Sequence, residues 1–374
     1  MPDSYTHLGE FADLCAASRR SHPVHPKAVP GQRTQKLFRK SLSFAPGAEK
    51  PRSVRLERQW VKDGVEGQLI SWSVGYGPRT EVFVFKPEGA QGSLPGVLAL
   101  HDHGGFKFFG KEKIADGPNA VHNTLKSFRR QYYGSRAYTN ALAREGFVVL
   151  VPDVFLWGSR RFSVQTLSKV FGLKSGSFGS RDGSRYVTRY NRVAGNHEHI
   201  VEKNLRILGS TMAGVVSFED RISAQYLASR KDVVGGRIGC VGLSGGGMRT
   251  VLLQGSCKLL GAAVVVGAMC TYESLLDHNA PSHTWMFYPS DWSLHGDWPD
   301  IAACRAPSPL MVLYDKGDEL FTLKGQQQAH RKIASHYRSV GKPRNYVGRF
   351  YPGLHKFDLP MQADAFSWLK KQLY

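Results

Sequence analysis

Cys240-Val241-Gly242-Leu243-Ser244-Gly245-Gly246-Gly247 is the stretch on which the fold turns. Arg237 to Leu243 reads as a short buried strand and Gly246 to Gln254 as the helix after it. Between them a serine has a glycine two residues before it and another two residues after, the spacing of a nucleophile elbow. Such a turn forces the serine into a strained backbone conformation and pushes its hydroxyl into a cleft. Gly242 and Gly246 carry no side chain to obstruct the closure. The following helix directs its positive N-terminal end at Ser244, which favours negative charge there. Glycine-rich turns are also ordinary in a chain with 40 glycines, so the rest of the sequence has to decide.

The chain has 374 residues, enough for one large α/β domain or two small ones. A hydrophobic content of 41% suits a globular core. No apolar run is long enough to span a membrane. The segment from Met1 to Arg20 lacks the charged, then apolar, then small-residue order of a signal peptide, so the expected location is cytoplasmic. The five cysteines (Cys15, Cys240, Cys257, Cys270, Cys304) are scattered, odd in number and without a C-x-x-C pair, as expected of reduced, buried thiols. The net charge of +20 permits attraction to nucleic acid, anionic membranes or acidic substrates. No zinc finger, RNP-type aromatic motif or basic zipper accompanies it, so nucleic acid is not an expected partner. The sequence leaves the oligomeric state open.

Working outward from the elbow, strands and helices alternate. Pro95–His101, Phe147–Val151, Gly261–Gly267, Pro309–Tyr314 and Tyr346–Tyr351 read as buried strands. Ser135–Glu145, Val216–Arg230, Leu323–Val340 and Pro360–Gln372 read as helices. This predicts an α/β class: a mostly parallel, doubly wound sheet with helices on both faces. Val54–Val61, Gln68–Val74 and Thr80–Lys86 precede it as strands, the last two joined by Gly75-Tyr76-Gly77-Pro78 into a hairpin. Residues 1–55 read as a polar extension packed on a domain of residues 56–374. A stretch of about 159–215 breaks the alternation and reads as an insertion over the cleft. Its part from Ser159 to Gly195 holds Arg160, Arg161, Lys169, Lys174, Arg181, Arg185, Arg189 and Arg192 against one acid, Asp182.

A serine hydroxyl needs a base to take its proton, and a carboxylate to hold that base in the right tautomer. With an elbow serine the partners follow in the order acid, then histidine. His355 sits in the loop Tyr351-Pro352-Gly353-Leu354-His355-Lys356-Phe357, between the last strand and the last helix, where an exposed base can reach the elbow. His278, His283 and His295 lie in an irregular polar segment, and His330 and His336 on a predicted helix. The acid is Asp318, in the turn Asp315-Lys316-Gly317-Asp318 after a strand, with Asp315 as rival and Glu319 behind it. Ordinary turn chemistry also favours aspartate there. Two backbone amides are required for the developing oxyanion. Gly245 supplies one, and the glycine-rich loop His101-Asp102-His103-Gly104-Gly105 the other, through His103 with Gly104 next.

Taken together, the H-x-H-G-G loop, Val-Pro-Asp after the next strand, the Gly-Leu-Ser-Gly-Gly elbow, the Gly-Asp turn and Gly-Leu-His-Lys-Phe resemble the α/β-hydrolase superfamily. The nearest branch is the dienelactone-hydrolase-like and acetyl xylan esterase-like serine carboxylesterases. The resemblance covers roughly residues 94–373. It implies hydrolysis of carboxylic esters, including acetyl or other short acyl esters of a carbohydrate or an aromatic acid, through an acyl-enzyme. It implies no cofactor, no metal and a small-molecule ester as partner. Dienelactone hydrolase itself uses cysteine where this chain has Ser244, which counts against that reaction. Lactone, amide or carbon–carbon bond hydrolysis on the same triad remains the alternative within the fold, and a non-catalytic binder of anions the alternative outside it. His101-x-His103 and His197-Glu198-His199 have the look of metal-ligand pairs, but neither has the third and fourth ligands zinc needs. Phe106, Phe108, Phe109, Trp157, Trp285 and Phe287 are candidate pocket walls, each equally readable as core. Of these residues, Phe106, Trp157 and Trp285, with Arg160, are the expected substrate contacts. Arg160, Arg161, Arg181 and Arg185 would steer an anionic ester.

Overall fold

The computed structural model describes residues 5–174, 176–179, 183–276 and 279–374. Nine strands form one sheet: β1 (Arg52–Lys62), β2 (Val65–Ser73), β3 (Thr80–Pro87), β4 (Leu94–Leu100), β5 (Val148–Pro152), β6 (Val233–Leu243), β7 (Ala262–Val266), β8 (Leu310–Asp315) and β9 (Tyr346–Tyr351). Their order across the sheet is β1-β2-β3-β5-β4-β6-β7-β8-β9. The first three run antiparallel, β3 meets β5 antiparallel, and every later neighbour is parallel. The hairpin at residues 75–78 is present, with Trp72 opposite Thr80. A second hairpin, closed by Asp63-Gly64, joins β1 to β2.

The helices are α1 (Leu14–Ser21), α2 (Gln32–Ser41), α3 (Asn123–Tyr132), α4 (Tyr138–Arg144), α5 (Val164–Phe171), α6 (Ser184–Ile207), α7 (Met212–Ser229), α8 (Gly245–Ser256), α9 (Glu273–Leu276), α10 (Trp298–Ala303), α11 (Leu323–Ser339) and α12 (Leu359–Leu373). The central strands are apolar throughout because they are covered twice. Alternate residues of a strand point to opposite faces. Leu98, Leu100, Cys240, Ala263, Val265, Leu310 and Val312 enter one core, with side chains of α7, α8, α10 and α11. Val97, Ala99, Val241, Leu243, Ala262, Val264, Met311 and Leu313 enter the other, with α4 and α12. No helix among the described residues is long and apolar enough to cross a membrane.

The N-terminal extension is tied down by Phe38 of α2, fully buried in the first core. The stretch expected to interrupt the alternation contains two helices, α5 and the 24-residue α6. All five cysteines are free, four of them buried. Arg181, Asp182 and His278, singled out in the sequence, lie outside the described residues.

Candidate active site

The site forms at the C-terminal ends of the central strands, where open α/β sheets place their crevices. β6 ends at Leu243 and α8 begins at Gly245, so Ser244 is the hinge between them. Its backbone has φ +56° and ψ −122°, a strained conformation for a residue with a side chain. The strain is held from both sides: Ser244 N–H donates to Val266 O at 2.9 Å, and Ser244 O accepts from Met248 N–H at 2.8 Å. The flanking glycines are needed for space. A Cβ on Gly246 would stand 2.1 Å from Leu100 O, and one on Gly242 would stand 2.4 Å from the Gly246 carbonyl.

His355 hangs from the loop after β9. Its Nδ1 lies 2.6 Å from Oδ2 of Asp318, in the turn after β8. Its Nε2 is buried and has no hydrogen-bond partner among the described residues. Burial pushes the imidazole pKa down, but the hydrogen bond and charge of Asp318 push it further up, and the net shift is upward. Asp318 in turn accepts Leu320 N–H at 2.9 Å. The rival acid, Asp315, sits beside this pair. One of its carboxylate oxygens accepts Lys356 N–H at 3.1 Å and the other is unpartnered. Burial pushes its carboxyl up to about 7. Asp315, Asp318 and His355 place one ligating atom each within 4.8 Å of one another, close enough to be tested as a metal centre. The 2.6 Å contact pairs His355 Nδ1 directly with Asp318 Oδ2, and Asp315, pushed toward its neutral form, lies behind them.

The amides expected to serve an oxyanion also converge. A Cβ on Gly245 would stand 2.5 Å from His103 N, so the two backbones touch at this point. Gly245 opens α8, and its N–H has no intrahelical acceptor. His103 N–H donates to no described group, whereas His103 O accepts Phe106 N–H at 3.0 Å, Lys113 Nζ at 3.3 Å and Trp157 Nε1 at 3.3 Å.

Ser244, Gly245, His103 and His355 all line one cavity of about 220 Å³. Phe128, Tyr132, Met248 and Leu320 form its apolar wall, and Ser282, His283 and Thr284 its polar wall. Burial pushes His283 down to about 4, so its ring is neutral. Its Nε2 faces Leu320 O at 3.1 Å, an acceptor, so Nε2 carries the proton and Nδ1 keeps a lone pair.

The four expected substrate contacts lie elsewhere. Phe106 packs with Leu125 and Val187 in a separate cluster. Trp157 is 1% exposed, with its Nε1–H donated to His103 O and the Lys107 ammonium 3.6 Å from its ring centre. Arg160 is buried against Glu219, with Nη2 2.6 Å from Oε1, and also donates to the carbonyls of Tyr76 and Pro78. Trp285 donates Nε1–H to His199 Nδ1 at 3.0 Å. None of the four lines the cavity; each is fixed by packing or by a partner a residue-by-residue reading could not foresee. The histidines of the two pairs that look like metal ligands have other partners. His101 Nδ1 contacts its neighbour's carbonyl, His103 bonds Glu198, and His197 stacks edge-on against Phe162. The wall residues Ser282, His283 and Thr284 were missed because they sit in an irregular segment with no periodic signal.

No family model matches this chain. Among curated proteins it is 21% identical over 264 residues to "Putative hydrolase YtaP" of Bacillus subtilis (strain 168), covering 70% of this chain and 73% of that protein. A solved structure from Bacteroides fragilis NCTC 9343, described as a "putative acetyl xylan esterase", superposes with a TM-score of 0.67 at 16% identity, over 92% of this chain and 82% of that one. The glucuronoyl esterase of Solibacter usitatus gives a TM-score of 0.62 at 12% identity, over 94% and 100%. The chain has the α/β-hydrolase fold, and its glycine-flanked serine stands between β6 and α8.

Proposed function

We propose that this protein is a serine hydrolase of carboxylic esters with a short acyl group. The observation that carries the reading is the meeting of Ser244, His355 and the His103 and Gly245 amides on one small cavity, with Asp318 bonded to the far side of the imidazole. Ser244 Oγ attacks the ester carbonyl carbon while its proton passes to His355 Nε2. The carbonyl oxygen becomes an oxyanion and receives the two N–H groups. Collapse breaks the carbon–oxygen bond, and His355 returns the proton to the departing alcohol. Water then loses a proton to His355 and attacks the acyl carbon, releasing the carboxylic acid and restoring the Ser244 hydroxyl. Asp318 holds the Nε2-accepting tautomer and stabilises the imidazolium.

A cavity of about 220 Å³ is below the usual range for drug-sized ligands, which favours a small acyl group. The structural neighbours are named for acetyl xylan and glucuronoyl esters, which supports a carbohydrate ester as the substrate class. Ser244→Ala tests the assignment. Hydrolysis of p-nitrophenyl acetate should fall by roughly a million-fold, toward the level left by binding and the oxyanion amides alone. Unchanged hydrolysis by the purified variant would refute it.

A further inference from the structure

We propose that Glu198 is the positioning residue of the oxyanion site, holding the His103 ring in a single tautomer so that the loop leaves the His103 amide unpaired. The proposal rests on the ester-hydrolase reading for its kinetic consequence but not for its structural one.

Glu198 lies on α6, inside the basic insertion, and is 5% exposed. Its Oε2 faces His103 Nε2 at 3.0 Å and accepts from Lys107 Nζ. Its Oε1 accepts Thr284 Oγ1–H at 2.6 Å and Trp285 N–H at 3.3 Å. A carboxylate offers about four lone-pair sites, and here all are occupied. Burial alone would raise its pKa, but the Lys107 ammonium and the hydrogen bonds from His103 and Lys107 hold it well below the usual range. The group is therefore an anion and can only accept.

Two bonds then determine the His103 ring independently. Facing an acceptor, Nε2 must carry hydrogen. On the other side Gly105 N–H donates to Nδ1 at 3.0 Å, so Nδ1 must carry a lone pair. Burial keeps the ring below its ordinary pKa even beside Glu198, and the Lys107 ammonium opposes a second cation. One neutral tautomer satisfies both neighbours. With the ring fixed at both nitrogens and the carbonyl held by Phe106, Lys113 and Trp157, the only free valence of residue 103 is its N–H. The same carboxylate holds Thr284, on the polar wall of the cavity. The insertion is thus coupled to the chemistry through one side chain.

A carboxylate serving only to neutralise buried Lys107 would affect stability and nothing else. Two measurements separate the cases, both on the full chain. With histidine ¹⁵N labelling, long-range ¹H–¹⁵N spectra should show His103 protonated at Nε2 alone in the wild type. Finding Nδ1–H there overturns the proposal whether or not the chain hydrolyses esters. In kinetics with p-nitrophenyl acetate, Glu198→Gln should lower kcat by about 10- to 100-fold with KM within about threefold, less than removal of an oxyanion donor. His103→Asn should cause a comparable loss, and the double variant no further one. A folded Glu198→Gln variant with kcat within about twofold of wild type, or additive losses, overturns the proposal. Should Glu198→Gln fail to fold, the wild-type tautomer and His103→Asn still decide it. A wild type that neither hydrolyses the ester nor reacts with a fluorophosphonate at Ser244 sinks the esterase reading instead, leaving the tautomer result to judge Glu198.

Discussion

His355 Nδ1 stands 2.6 Å from Asp318 Oδ2, while Asp315, three residues earlier, keeps one carboxylate oxygen buried and unpartnered in the same cluster. The two acids are not equivalent. Asp318 holds the imidazole directly, and Asp315 is pushed toward its neutral form.

Asp318→Asn should therefore lower kcat by about 10⁴-fold, because an amide favours the wrong histidine tautomer. Asp315→Asn mimics the protonated acid already favoured there and should leave kcat within about tenfold of wild type. Esterase assays on both variants check this. The reverse order of effects would move the triad acid to Asp315.

The base must be neutral to accept the serine proton. Since His355 is shifted upward, kcat/KM should fall as pH drops through a value above the ordinary histidine pKa of about 6.5. Asp318→Asn removes the largest raising influence, leaving burial and the weaker pull of Asp315 and Asp102, so its acid limb should move to lower pH. The protonated ring is bound more tightly folded than unfolded. Its contribution to stability is accordingly full below the unfolded pKa and lost as pH rises through the folded one. A pH–rate profile with the same acid limb in both proteins would contradict the assignment.

Gly246→Ala forces a methyl to 2.1 Å from Leu100 O at the junction of strand and helix. The nearest atoms, of Leu100 and His101, are all backbone, so relief requires the elbow to open. A loss of roughly 3 kcal/mol or more in denaturant unfolding is expected, with activity falling in the fraction that folds. Wild-type stability would mean the turn is looser than its geometry implies.

Arg160→Ala leaves Glu219 buried without its cation, which costs about 3–5 kcal/mol in comparable pairs. The expected signature is a large drop in Tm, with the ratio of rates on neutral and anionic esters unchanged. A selective loss on anionic esters would restore Arg160 as a substrate contact.

Much of the architecture was legible because buried parallel strands are short apolar runs, and the turns that carry Ser244, Asp318 and His355 each have a local Gly or Pro signature. The extent of α6 was not. Its buried face, Tyr186, Val187, Tyr190, Ala194, His197, Glu198 and Glu202, keeps helical spacing but ends in polar residues. Reading apolar periodicity alone stops where the face turns charged. The same cause hid Glu198, whose partners come from two distant parts of the chain, residues 103–107 and 284–285. The burial of Arg160 was hidden for a related reason: charge counts cannot tell a steering arginine from one neutralised at depth by Glu219.

Every residue of α8, from Gly245 to Ser256, is buried. Its Gly245 and Met248 line the cavity and the rest of it is packed into the scaffold, so a change along this helix disturbs the whole sheet. On the proposed function, diversification of what the cavity accepts proceeds from above, through the irregular segment around residues 282–284 and the insertion that braces it. A laboratory library aimed at new specificities belongs on those surfaces and should leave the helix untouched.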